Sequence, residues 1–69
     1  MSDTDEVRGR VRRLLLSGDN ILKNRDASGR ERALARYHEA LALAREAGIT
    51  ELEPIIAVRL ADAEAADAG

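Results

Sequence analysis

Cysteine, phenylalanine and tryptophan are absent from this 69-residue chain, and tyrosine, proline and histidine occur once each. Without cysteine there is no disulfide framework and no thiolate metal site, and nothing marks a redox compartment. Without a second histidine, His38 has no partner for a familiar metal or nucleophile site. Without Phe or Trp, any core is built from sixteen Leu, Ile and Val residues around Tyr37. Such a core is thin for one small domain, which favours self-association or a partner. A long apolar run is missing too, and the N-terminus is acidic. Neither a secretory leader nor a membrane span is expected, and the default expectation is a cytoplasmic protein.

Charge is plentiful but segregated. The net charge is −2, yet residues 8–36 carry nine Arg and Lys against Asp19, Asp26 and Glu31. Residues 37–69 reverse the balance, with seven acids against Arg45 and Arg59. Such asymmetry suits either a face for polyanions or oppositely charged helices lying against each other.

At about 100° per residue, Val7, Val11, Leu14, Gly18, Ile21 and Arg25 form one stripe, with Leu15 and Leu22 beside it. The stretch Ser17-Gly18-Asp19-Asn20 has a turn-like composition, but the stripe passes through it without a slip. A turn there would leave two short pieces, each weak alone. One helix over about residues 4–25 is the expectation, with Gly18 as a notch on its inner face. Glycine costs about 1 kcal/mol against alanine inside a helix, and a closely packed neighbour would compensate. Ser28-Gly29-Arg30-Glu31 has the spacing of a capping box. It predicts a second helix over 29–47, buried through Ala33, Leu34, Tyr37, Ala40, Leu41 and Ala44 and closed by Gly48. Thr50 to Glu53 repeats that spacing and opens a third helix over 51–66, whose stripe is Leu52, Ile55, Ile56, Leu60 and Ala63. Pro54 at the fourth position would remove one ladder bond, so this start can shift by a residue or two. Nothing reads as strand. The expectation is an all-α domain over 1–69: a three-helix array of antiparallel neighbours with frayed ends at about 1–3 and 66–69.

Ala33-x3-Tyr37-x2-Ala40-Leu41 resembles the second helix of a tetratricopeptide repeat, which carries small, aromatic and small residues at that spacing. The continuation, with Leu60-Ala61 on the following helix, is similar to the longer-helix variety of these repeats. On this resemblance Gly18 takes the small packing position of the first helix, and Leu14 stands where the family often has a large residue. The usual Trp is missing, about three extra residues separate Gly18 from Ala33 relative to a 34-residue unit, and no Pro closes the second helix. The match spans about residues 14–64. It implies a protein-binding scaffold without a cofactor, shorter than the three or so repeats of a self-sufficient array.

Catalytic signatures do not emerge. His38 reads as a structural or solvated residue at the edge of a stripe. Ser17 with Asp19, and Asp62 with Glu64, stand two apart, which points side chains away from each other on a helix. No enzyme, cofactor or metal is expected. Arg8, Arg10, Arg12 and Arg13 are the densest charge cluster. They suit phosphate contacts, but the aromatic stacking partners of a nucleic-acid reader are absent, as are the interfacial aromatics of a membrane helix. Leu16, Leu43 and Val58 fall well off the main stripes of their helices, one on each. They are either scattered surface aliphatics or parts of a second apolar surface. The function expected is a non-catalytic protein–protein interaction module, a small adaptor or accessory subunit. It would contact another protein or a second copy of itself through Leu16, Leu43 and Val58, with Arg8, Arg12 and Arg13 steering an acidic partner. The alternative is a small nucleic-acid-associated regulator using the same arginines.

Overall fold

The computed structural model describes residues 3–24 and 27–65, and among them it is all helix and turn, with no strand. Helix α1 spans Asp3–Lys23, α2 spans Gly29–Ala47, and α3 spans Glu53–Ala65 after a short 3-10 turn at Thr50–Leu52. Ser17 to Asn20 lie inside α1 without a break. Asp3, Asp5 and Glu6 occupy the first turn of that helix and Lys23 the last, which complements the helix dipole at both ends. Arg25, expected on the inner stripe of α1, lies outside the described residues, as does Ala66 at the expected end of α3.

The three helices form an up-down-up array. Val7 of α1 shares a shallow surface hollow with Leu43 and Ala47 of α2, whereas Ser17 and Ile21 share another with Arg32, Ala35 and Arg36. The start of α1 therefore lies beside the end of α2, and the two run antiparallel. Pairing of Arg8 with Glu51 and of Asp19 with Arg59 sets α3 parallel to α1. Helix α2 is the shared element: it packs extensively on α1 and also carries α3. Its fully buried stripe of Ala33, Tyr37, Ala40 and Ala44 is three small residues around one ring. Val11 and Leu15 from α1 and Ile56 and Ala63 from α3 complete the core. Alanines cover little area, but they allow the backbones to approach so that the larger aliphatics of neighbouring helices meet across them.

Helix α2 ends in a Schellman motif. Gly48 adopts φ +71°, its N–H donates to the Arg45 carbonyl at 3.1 Å, and the Ile49 N–H donates to the Ala44 carbonyl at 2.9 Å. The motif reverses the chain and drives Ile49 inward, where it is 2% exposed. Both expected capping boxes fail in detail. Ser28 stands at the N-cap with ψ 7° and makes no side-chain cap bond. Its backbone is not in the extended region from which a cap oxygen reaches the N–H groups of the first turn. Thr50 sits inside the 3-10 turn and does not cap α3, because Pro54 has no N–H to give the Thr50 carbonyl. The Glu53 N–H takes that carbonyl at the shorter i→i+3 spacing, and the α-helix proper begins only there. Arg45 then ties the end of α2 to the start of α3 through Glu53 at 3.2 Å.

A left-handed residue with a Cβ is strained, and nothing lies within 4 Å of the Cβ position at Gly48 to add a steric effect. Gly48→Ala is accordingly expected to lower unfolding stability by about 1 kcal/mol. Urea denaturation followed by circular dichroism measures it, and a stability gain would contradict the motif.

Candidate functional site

Two neighbouring features occupy the side of the molecule where α1 and α3 meet. The first is a polar junction that links all three helices. Tyr37 of α2 is 1% exposed and lies flat against Gly18 of α1. A Cβ built on Gly18 would fall 2.5 Å from the ring's Cε1 and 2.9 Å from Cζ, closer than van der Waals contact permits. The absent side chain is thus the space in which the ring sits. The Tyr37 hydroxyl emerges past the glycine and donates to Asp19 Oδ1 at 2.5 Å. Arg59 of α3 closes the junction, its Nε 3.3 Å from Asp19 Oδ1 and its Nη2 3.4 Å from Oδ2. One carboxylate from α1 accepts from a phenol of α2 and a guanidinium fork of α3. Burial pushes the Tyr37 phenol above its ordinary pKa, and the hydrogen bond and negative charge of Asp19 add to the shift.

The second feature is a groove between α1 and α3. It holds about 230 Å³ and is lined by Arg8, Val11, Arg12, Leu15 and Leu16 of α1 together with Leu52, Ile55 and Arg59. Its floor is apolar, from Val11 and Leu15, which belong to the core. Its rims are cationic. Arg8 is bound to Glu51, which holds that carboxyl below its usual range, and Arg59 is bound to Asp19. Arg12 takes part in no ion pair among the described residues. The groove exists because α3 leans on α2 more than on α1, which leaves the upper edges of the outer helices apart.

Of the residues expected to form a contact surface, Leu16, Arg8 and Arg12 come together here. Leu16 is 54% exposed at the lip. Val58 is 59% exposed on the outward side of α3, three residues from Ile55 and beyond the lining proper. Leu43 does not join them. It is half-buried and packs against the core on the Val7 side of α2. Arg13 also stays away from the groove, and its Nε donates to the Gly9 carbonyl one turn earlier at 3.3 Å. Ile55, expected in the buried stripe of α3, is 46% exposed and forms the lip opposite Leu16. Ile55 and Ile56 lie about 100° apart on one α-helix, and α3 packs with Ile56, Leu60 and Ala63 toward the core, which leaves Ile55 at the edge. Sequence reasoning missed Asp19 and Arg59 because their partners lie 18 and 40 positions away. Their types alone do not single them out from the other charges.

His38 is exposed on α2. Among the described residues no group of three His, Cys, Asp or Glu side chains comes together, and no helix is long and apolar enough to cross a membrane. No family model, curated protein or solved structure matches this chain.

The junction yields two expected outcomes. Gly18→Ala gains about 1 kcal/mol of helix propensity, but overpacking against an anchored ring costs about 1–3 kcal/mol. A net loss is expected in the native background. In a Tyr37→Leu background the same substitution should become neutral or favourable, and a double-mutant cycle in urea measures the difference. Absence of coupling would mean that the ring does not occupy the notch. The second outcome concerns pH. A phenol held protonated by the fold contributes stability that is complete below about pH 10 and is lost as pH rises above it. Denaturation midpoints taken across that range should fall more steeply for the native chain than for Tyr37→Phe.

Proposed function

We propose that this protein is a non-catalytic protein–protein interaction module, a small adaptor or accessory subunit, whose contact surface is the α1–α3 groove. The observation that carries the reading is the combination of apolar lips and cationic rim at one place. Leu16 and Ile55 are about half exposed on opposite sides of an apolar floor, with Arg8, Arg12 and Arg59 around them. Scattered single aliphatics need no explanation on a soluble protein, but a continuous apolar lining between two helices suits a partner's side chains. Arginine at such an edge gives orientation and electrostatic steering toward an acidic partner. The resemblance to a tetratricopeptide unit agrees with this reading, because the first and third helices of the array would correspond to the groove-lining helices of such a scaffold.

Engagement of Arg8 and Arg59 by carboxylates of the same chain weighs against nucleic acid as the ligand of the groove. Within the groove that leaves Arg12 as the arginine without an ion pair. A cluster of free cations along one edge is what phosphate binding would need.

Selection of helix-forming peptides from a display library against the immobilised chain tests the proposal. Peptides are expected whose binding drops at least about tenfold on Leu16→Asp or Ile55→Asp, the scale of losing a central apolar anchor. If every recovered peptide binds those variants as well as the native chain, the groove is not the contact surface. Salt-sensitive binding to a generic DNA duplex that is lost on Arg12→Glu would move the assignment to nucleic acid.

A further inference from the structure

We propose that the groove face is an interface between two copies of this chain, with the α1 edge of each lying against the α3 edge of the other. The inference rests on the interaction-module reading and names its partner. Its basis is that the charges left unpaired at the two edges of this one face are opposite in sign. Along α1 the edge carries Arg12, Asp19 and Lys23 around Leu16, and along the 3-10 turn and α3 it carries Glu51, Arg59 and Asp62 around Ile55, with Val58 further outward. Each edge is apolar at its centre. With the Arg8–Glu51 and Asp19–Arg59 pairs satisfied within the chain, the α1 edge keeps the cations Arg12 and Lys23 and the α3 edge the carboxylate Asp62. Leu16, Ile55 and Val58 are the exposed large hydrophobic residues among those described; Leu16 and Ile55 line the groove, and Val58 stands beside it on the outward side of α3.

Symmetry turns that contrast into complementarity. Helices α1 and α3 run parallel and in step, Arg8 level with Glu51 and Asp19 level with Arg59. A twofold axis along the helix direction, lying in the plane of the face, exchanges the two edges and preserves height. Leu16 then meets the partner's Ile55 and the partner's Val58, and the reciprocal contact forms on the other side, as an isologous interface requires. Lys23 lies about two turns beyond Leu16, and Asp62 about two turns beyond Ile55, so Lys23 stands level with the partner's Asp62. Within the chain, Lys23 and Asp62 take part in no ion pair among the described residues. A twofold axis perpendicular to the helices would instead set α1 on α1, cation against cation, which like-charge repulsion disfavours. The helix α3 has 13 residues and is about 20 Å long. The contact is therefore short, in the range of weak and transient interfaces, with dissociation in the micromolar range or above.

Sedimentation equilibrium of the native chain from about 10 µM to about 1 mM tests the proposal. The expected result is a mass rising from 7.5 kDa toward twice that value. Leu16→Asp and Ile55→Asp should raise the dissociation constant at least about tenfold, with helicity by circular dichroism unchanged because both sites are exposed. Lys23→Glu should weaken the dimer about fivefold, and Lys23→Glu combined with Asp62→Lys should restore it. A monomer at every concentration overturns the proposal, as does a dimer indifferent to all four substitutions or a double variant that is not restored. A monomer that still takes groove-dependent peptides overturns only the second copy as partner. A monomer without such peptides overturns the interaction-module reading as well.

Discussion

The contact between the Tyr37 ring and the bare backbone of Gly18 holds the rest of the structure in place. It sets how closely α2 approaches α1, because the ring fills the space that any side chain at Gly18 would occupy. It also aims the phenol at Asp19, where Arg59 arrives from the third helix. A chain with so little aromatic area cannot order its helices by bulk alone. One ring in one notch, with a carboxylate beside it, defines the relative height of all three helices. The burial that raises the Tyr37 pKa comes from this arrangement, so packing and electrostatics are here the same feature seen from two sides.

The groove follows from how α2 divides its surface. Its alanine stripe lets α1 and α3 settle onto it from two directions. Between the outer helices, Arg8 pairs with Glu51 and Asp19 with Arg59 above the apolar floor. Exposed ion pairs contribute little to stability, typically below about 1 kcal/mol each. Their part in this fold is to fix register while leaving the apolar lips of Leu16 and Ile55 apart. The charge segregation along the chain thus acts within the molecule to align α3 on α1, and its unpaired remainder lies at the outer edges.

Much of the architecture was legible in the sequence. The 3.6-residue period identified three helices, and the continuity of the Val7 to Ile21 stripe through Ser17-Gly18-Asp19-Asn20 argued against a turn. The notch at Gly18 and the closing Gly48 were also visible, because glycine inside an apolar stripe or at its end has few physical explanations. The capping boxes were misleading. Their residue types suit the role, but side-chain capping depends on backbone angles that neighbouring turns impose, and Pro54 imposed a 3-10 turn. The candidate surface was legible in part. Leu16 stood out because it faces away from Gly18, and Leu43 failed the same test because the far side of α2 lies close enough to Val7 to cover it.

The sequence by itself determined the helices, their order and the small-residue seam of α2, since these depend on period and side-chain size within a dozen residues. Only the tertiary structure decided which charges meet. Asp19, Tyr37 and Arg59 come from three helices, and whether they converge depends on interhelical height, which the Tyr37 ring against Gly18 sets. The exposure of Ile55 was decided at the same level. Ile55 and Ile56 lie about 100° apart on α3, and which of the two is covered depends on how that helix sits on α2, which no hydrophobic period read along one segment contains.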